Sequence, residues 1–263
     1  MKKITVITNS AKDIGYVYTN QVTEILSQFD CTITQLDYID SANVDADFII
    51  CLGGDGTIIK VASSNDVPIL GINLGRLGYI AELESDEISM ITGLFNGEYK
   101  LENRMMLTAE FSDGRSYNVL NDVVLSHGMI SRIADIELRC DSNIVSRYRG
   151  DGLIVATPTG STAYSMSAGG PVIDPRIDCI CVTPICSHSL KAKPLIFTPE
   201  SELEMINKCT DKADMYVTFD GNGNIPLIYD ESVKIIKSNR TTQLVRMKID
   251  GFYNILYNKM SDN

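Results

Sequence analysis

The apolar run Phe48-Ile49-Ile50-Cys51-Leu52 ends in Gly53-Gly54-Asp55-Gly56-Thr57. A glycine turn after a buried strand leaves backbone N–H groups bare, and such groups at a helix start hold phosphate. Phosphate is anionic, yet Asp55 sits at the centre of the turn and no lysine lies inside it. The turn lacks the Gly-Lys-[Ser/Thr] ending of an ATP-binding P-loop and the glycine spacing of a dinucleotide fingerprint. Two readings follow. Asp55 caps a helix in a tight strand-to-helix turn, or it faces a hydroxyl that attacks phosphorus or holds Mg²⁺ against the donor.

Two further stretches carry chemistry. In Arg147 to Val172, Asp151 lies between two glycines and is followed by Thr157, Thr159, Ser161, Thr162, Tyr164, Ser165 and Ser167. Hydroxyls at this density can surround ribose and amide groups; the alternative is a solvated loop. Asn121-Asp122 precedes the apolar Val123-Val124-Leu125, where an amide and a carboxylate could bracket a ribose diol or form an Asx turn. Cys179, Cys181, Cys186 and His188 are close together but lack paired C-x₂-C spacing, so a zinc site is not expected. Cys179 and Cys181 share one face of a strand and read as buried small residues. His127 has no nucleophile placed beside it by sequence, and Met105-Met106 reads as core.

The elements that position these stretches fall into two groups. Ile4 to Thr8, Cys31 to Leu36, Ala46 to Leu52 and Val67 to Asn73 read as strands. Helical spacing links Val22, Ile25, Leu26 and Phe29, and Thr57 to Ser63 follows the glycines as a helix. A helix capped by Ser85 is expected along Ile88, Ile91, Leu94 and Phe95, ending at Asn96-Gly97. The acidic Glu82, Glu84, Asp86 and Glu87 read as its solvated start. Alternating units of this kind predict a parallel sheet covered on both faces, with ligands at the carboxyl ends of its strands. After residue 99 period-2 runs dominate, with hairpin signals at Asp113-Gly114 and Asp220-Gly221. The expectation is an α/β domain with a Rossmann-like parallel sheet over residues 1–98 and an antiparallel all-β domain over 99–238. The tail 239–263 returns to the first domain, giving an α+β chain overall.

The 263 residues have 44% hydrophobic and 22% charged composition, with a net charge of −11. An acidic balance argues against a broad nucleic-acid or anionic-membrane surface. No apolar run approaches the roughly 20 residues of a membrane span. Seven irregularly spaced cysteines without an export signal point to a reduced, cytoplasmic protein. No internal repeat or low-complexity tract is present.

In their order along the chain these stretches resemble the NAD kinases, which phosphorylate the adenosine-ribose 2′-hydroxyl of NAD. The matching pieces are GGDGT (53–57), NLGRLGYIAEL (73–83), NDVVL (121–125), GDGLIVATPTGSTAYSMSAGGPV (150–172) and TPICSHSL (183–190). The resemblance implies that Asp55 is the proton acceptor, with Gly56 beside it at the NAD site, and that residues 99–238 carry the NAD-binding domain. It gives Gly53, Gly54, Gly56, Thr57 and Lys60 to the ATP phosphates. It gives the NAD ribose to Asn121 and Asp122. Asp151 and the run Thr159, Gly160, Ser161, Thr162, Ala163 and Tyr164 match its adenine and nicotinamide contacts. Tyr79 falls where the family often has an aromatic that packs on a base, Arg149 on a basic position beside NAD, and Arg132 and Cys186 on further site positions. Asn222 stands where the family commonly has glutamine. The resemblance also implies ATP as donor, Mg²⁺ or another divalent cation, and a homodimer or homotetramer. A diacylglycerol- or sphingosine-type lipid kinase would share GGDGT, and a noncatalytic NADP-binding module would share the scaffold.

Overall fold

The structure is a computed structural model that describes residues 1–40, 42–76, 78–128, 133–189, 191–210, 215–248 and 251–261. Its contacts divide the chain into two compact units, Met1–Asn103 with Thr242–Asn263, and Arg104–Thr241.

The first unit is α/β. It runs β1 (Lys2–Thr8), α1 (Val17–Leu26), β2 (Cys31–Asp37), β3 (Phe48–Gly53), α2 (Asp55–Ser64), β4 (Ile69–Asn73) and β5 (Leu83–Glu84). The strand order β4-β3-β1-β2 is parallel throughout, and β5 adds to β4 in the same sense. Leu244, near the end of the last long strand, pairs parallel with Ile69. All six residues of β3 are buried, as a strand covered on both faces requires. Successive side chains alternate between faces. Ile4, Val6, Ile50, Leu52, Leu70 and Ile72 therefore join Val22 and Leu26 of α1 in one cluster. Ile49, Cys51 and Ile69 turn the other way, and α2 packs on β3 and β4 with Ile58, Val61 and Ala62 buried. The helix Gly251–Ser261 closes the unit.

The second unit is antiparallel β. Its strands are β6 (Lys100–Phe111, entering from the first unit), β7 (Ser116–Val119), β8 (Asp122–His127), β9 (Ala134–Cys140), β10 (Asn143–Gly150), β11 (Gly152–Ala156), β12 (Ile180–Ile185), β13 (Leu195–Phe197), β14 (Leu203–Asn207), β15 (Met215–Phe219), β16 (Asn222–Leu227) and β17 (Ser232–Arg246). One sheet has the order β13-β12-β11-β8-β15-β16. In the other, β10-β9-β14-β17 is consecutive and β6 pairs with β17 and β7. Val123, Leu125, Leu153, Val155, Val182 and Val217 from the first sheet meet Ile136, Leu138, Leu203, Met205, Val233 and Ile235 from the second in one core. Met105 and Met106 are buried, as are Cys179 and Cys181, which cluster with Ile173.

Three expectations are corrected. The segment after Ser85 is a 3₁₀ helix, Ile88–Thr92, running into a single α-turn, Gly93–Asn96, and no side chain caps it. Ile88, Ile91 and Leu94 are three apart, and a 3₁₀ helix eclipses such residues on one face, where all three are fully buried. Phe29 lies beyond the end of α1 and stacks on Phe95 with ring centroids 4.1 Å apart. Glu82 is not part of a solvated helix start. It is 6% exposed and accepts the N–H groups of Met247 and Lys248 at 2.7 and 2.6 Å while pairing with Arg246 at 3.0 Å. Partners 164 to 166 positions away decide its state.

Candidate active site

In the first unit the strand-to-helix turn is held by a neighbouring loop. Asn9, just past β1, donates its N–H to the Leu52 carbonyl at 2.9 Å and its side-chain amide to Thr57 Oγ1 at 3.0 Å. Gly54 is the extended N-cap of α2 and no side chain caps the helix, so the capping reading of Asp55 is corrected. Asp55 opens the helix and directs its carboxylate to the chain beyond β4. It accepts N–H groups from Tyr79 at 2.7 Å, Ile80 at 3.2 Å and Ala81 at 3.4 Å. A Cβ at Gly78 would lie 2.0 Å from Asp55 Oδ1, so only glycine admits this approach. A carboxylate offers about four lone-pair positions; three are engaged here and one remains for a proton.

Beside this turn, Tyr79 places its ring under Lys259 Nζ at 4.7 Å, and burial, with Asp55 second, pushes its phenol pKa up. Lys60 Nζ lies over the Tyr38 ring at 4.9 Å. Gly53 and Thr57 pack together, and the Thr57 hydroxyl is engaged by Asn9, while Gly56 is exposed. The N–H groups of Gly54, Asp55 and Gly56 face no protein acceptor among the described residues.

In the second unit a cavity of about 350 Å³ is lined by Asn121, Asp122, Ala163, Tyr164, Thr218 and Asp220, among others. Asn121 is 8% exposed, and its Oδ1 is buried without a hydrogen-bond partner. A buried acceptor left unpaired is costly and points to a donor supplied from outside. Asp220 accepts the N–H groups of Leu120, Asn121 and Asp122 at 2.9, 2.7 and 3.1 Å. Asp220 and Gly221 both have positive φ, 49° and 71°, the requirement of the tight hairpin joining β15 to β16. Burial, and then the Asp220 carboxylate, push the Asp122 carboxyl up to about 7. Burial also raises Asp220, opposed by its three N–H bonds.

The Ser/Thr run is not a solvated loop. Thr157, Thr159, Ser161 and Ser165 are buried. Thr157 Oγ1 donates to the Leu120 carbonyl at 2.6 Å, Ser161 Oγ to that of Pro158 at 2.6 Å, and the Ser165 and Thr183 hydroxyls lie 2.8 Å apart. Buried Arg104 donates to Thr159 Oγ1 at 3.1 Å. Gly160 lies so close to Asn121 that a Cβ would meet its carbonyl oxygen at 2.1 Å. This network presses the run against Asn121 and leaves Thr162, Ala163 and Tyr164 partly open. The Asn121-Asp122 pair is a cavity wall, and the plain Asx-turn reading is corrected.

Other expected residues are placed as follows. Asp151 is exposed and interacts with the exposed Cys186, whose thiol it pushes up; Cys186 has φ 45°. Burial raises the Tyr164 phenol, and Cys186, Asp151 and Asp122 add to that. Arg149 is exposed, and its carbonyl accepts the His188 N–H at 2.9 Å. Asn222 is exposed, returns its amide to the Asp220 carbonyl at 3.0 Å and stays off the cavity wall. Arg132 lies outside the described residues. Sequence reasoning missed Asp220, Arg104 and Lys12. Asp220 was legible as a turn residue but not as a buried acceptor. Nothing local marked Lys12, whose Nζ would lie 2.6 Å from a Cβ on Gly54.

Comparison with known proteins covers both units. The ATP-NAD kinase N-terminal domain model matches residues 3–99, and the ATP-NAD kinase C-terminal domain model matches 120–247. The NAD kinase of Ruminiclostridium cellulolyticum is 39% identical across 99% of this chain and 98% of its own length. That of Syntrophotalea carbinolica is 42% identical over 81% of this chain and 78% of its own. The crystal structure of an Archaeoglobus fulgidus NAD kinase in complex with ATP superposes with a TM-score of 0.82 at 27% identity, covering 99% of this chain and all of that one. Yeast NADH kinase complexed with NADH shares the fold at a TM-score of 0.82 and 22% identity, over 100% and 88% of the two chains. With both domain models matched and relatives of this similarity along nearly its whole length, the chain belongs to the ATP-NAD kinase family.

Proposed function

We propose that the protein transfers the γ-phosphoryl group of ATP to the 2′-hydroxyl of the adenosine ribose of NAD, forming NADP, with Asp55 as general base. The observation that carries this reading is the Asp55 carboxylate, fixed by three backbone N–H groups at a glycine turn with one acceptor position to spare. A secondary hydroxyl is a weak nucleophile at neutral pH, and a positioned carboxylate that takes its proton makes attack feasible. The 2′-oxygen forms its bond to the γ-phosphorus, the bond to the bridging oxygen breaks, and ADP leaves. The remainder is alignment and charge neutralisation. The bare N–H groups of Gly54, Asp55 and Gly56 suit the phosphate oxygens.

Among the described residues no group of three acidic, Cys or His side chains could cage a metal. In this reading Mg²⁺ would be held by the triphosphate, the one vacant acceptor position of Asp55 being kept for the hydroxyl proton. Such an ion would neutralise charge on the transferring phosphoryl group.

In the same reading Asn121 and Asp122 bind NAD ribose, and Asp151, Arg149, Cys186 and the run Thr159 to Tyr164 surround the rest of the dinucleotide. Because the Ser161 and Thr162 hydroxyls already donate to the Pro158 and Thr159 carbonyls, backbone groups and the open Ala163 and Tyr164 make most of the direct contacts. Residues 1–98 with 239–263 serve the phosphates, and 99–238 serve NAD. A homodimer or homotetramer in the cytoplasm completes the proposal. The Asn121 amide and the Asp122 and Asp220 carboxyls in the cavity wall favour a nucleotide over a lipid acceptor.

The test is purified protein with ATP, Mg²⁺ and NAD, NADP being followed by a coupled dehydrogenase. NADP formation supports the kinase. Phosphorylated diacylglycerol or sphingosine in its place, or NADP binding without turnover, overturns it.

A further inference from the structure

The glycine turn contains no lysine, yet an ammonium group stands against it. Lys12 Nζ lies where a side chain at Gly54 would project, 2.6 Å from a Cβ built there. Its loop is fixed at both ends. Asn9 bonds to Leu52 and Thr57 on one side, and the Lys12 N–H returns to the Asn9 carbonyl at 2.8 Å. On the other side buried Asp13 accepts the N–H groups of Tyr18 and Thr19 at 3.0 and 2.8 Å and the Thr19 hydroxyl at 2.6 Å. The one carboxylate of the turn, Asp55, is directed to residues 79–81. Lys12 makes no ion pair among the described residues, and its Nζ lies on the side-chain side of Gly54, whose N–H has no protein acceptor there. In a chain of net charge −11, an unneutralised ammonium at such a turn is a concentrated positive site.

We propose that Lys12 contacts the phosphate chain of the nucleotide donor, supplying from the β1 loop the point charge that a P-loop carries within its own sequence. The inference rests on the proposed donor site at the turn and adds to it the group that neutralises donor charge. Glycine at position 54 leaves that ammonium its place, and a side chain there would push the flexible end of Lys12 aside.

The test compares wild type, Lys12→Ala, Lys12→Gln and Lys12→Arg by steady-state kinetics, with ATP and NAD varied in turn, by calorimetric titration of ATP, and by thermal melting. Lys12 is exposed, so the variants are expected to melt with wild type. Loss of one charge-assisted contact predicts that kcat/KM for ATP falls about 10- to 100-fold in the Ala and Gln variants, with weaker ATP titration. KM for NAD stays within about twofold, and Lys12→Arg retains most activity because the charge remains. Unchanged ATP dependence in Lys12→Ala overturns the proposal. So does a parallel loss for both substrates with a lowered melting temperature, which makes the residue structural. Wild type that forms no NADP defeats the parent reading instead, so the two failures are distinguishable.

Discussion

Asp220 Oδ1 accepts the backbone N–H of Asn121 at 2.7 Å, across 99 positions of sequence. The same oxygen takes the Asp122 N–H, and Oδ2 takes that of Leu120, so one carboxylate fixes three consecutive residues of the cavity wall. Asp220 returns its own N–H to the Asp122 carbonyl at 3.0 Å. Substituting Asp220→Ala should therefore leave buried N–H groups unpaired and lower unfolding stability by about 2–4 kcal/mol. Urea denaturation measures it. An unchanged midpoint would remove Asp220 from the role described.

Asp55→Asn replaces a charged acceptor by an amide that has one acceptor oxygen instead of two. Turnover should fall by about 10²- to 10⁴-fold, the range of a lost general base. NAD binding should persist, because the cavity wall of the second unit is untouched. Single-turnover kinetics and equilibrium dialysis with NAD read the two separately. Near-normal turnover would refute the assignment of the base.

Asp122 gives stability a pH dependence of defined sign. Its carboxyl is pushed up to about 7 in the folded protein, whereas an unfolded aspartate titrates near 3.9. Between those values the folded state binds the extra proton, so this residue's contribution is full below about pH 4 and is lost as pH rises to about 7. The span corresponds to an upper bound of about 4 kcal/mol. Asp122→Asn should flatten the slope of unfolding free energy between pH 4 and 7. An identical slope in the variant would count against the buried, neutral carboxyl.

The elements around the glycine turn of the first unit were legible because their signals are local. β3 is a short apolar run closed by glycines, and α2 begins where those glycines end. The hairpin at Asp220-Gly221 was legible for the same reason, since positive φ demands such residues. What sequence could not show depends on partners far along the chain. Glu82 looked like one of four solvated acids until Arg246 and two N–H groups of the final segment reached it. The Ser/Thr run was recognisable as special, but not that Thr159 and Ser161 spend their hydroxyls on Arg104, Pro158 and Ile173. Lys12 carries no motif at all. Its meaning comes from Asn9, which bonds across 48 positions to Thr57 and brings the first loop against the glycine turn.

Asn121 separates stability from function. Its backbone is held by Asp220, and Gly160 packs against its carbonyl, yet its side-chain Oδ1 is buried without a partner. Asn121→Leu nearly conserves volume and removes an unsatisfied acceptor, so the folded protein should be no less stable than wild type, or more stable by up to about 1 kcal/mol. If the vacant acceptor receives a donor from NAD, the same substitution should raise KM for NAD by about tenfold or more while KM for ATP holds. Thermal melting and two-substrate kinetics on one preparation read both quantities. A stable variant with unaltered KM for NAD would show that the vacant oxygen is not a dinucleotide contact. A strongly destabilised variant would show that the oxygen has a partner within the protein.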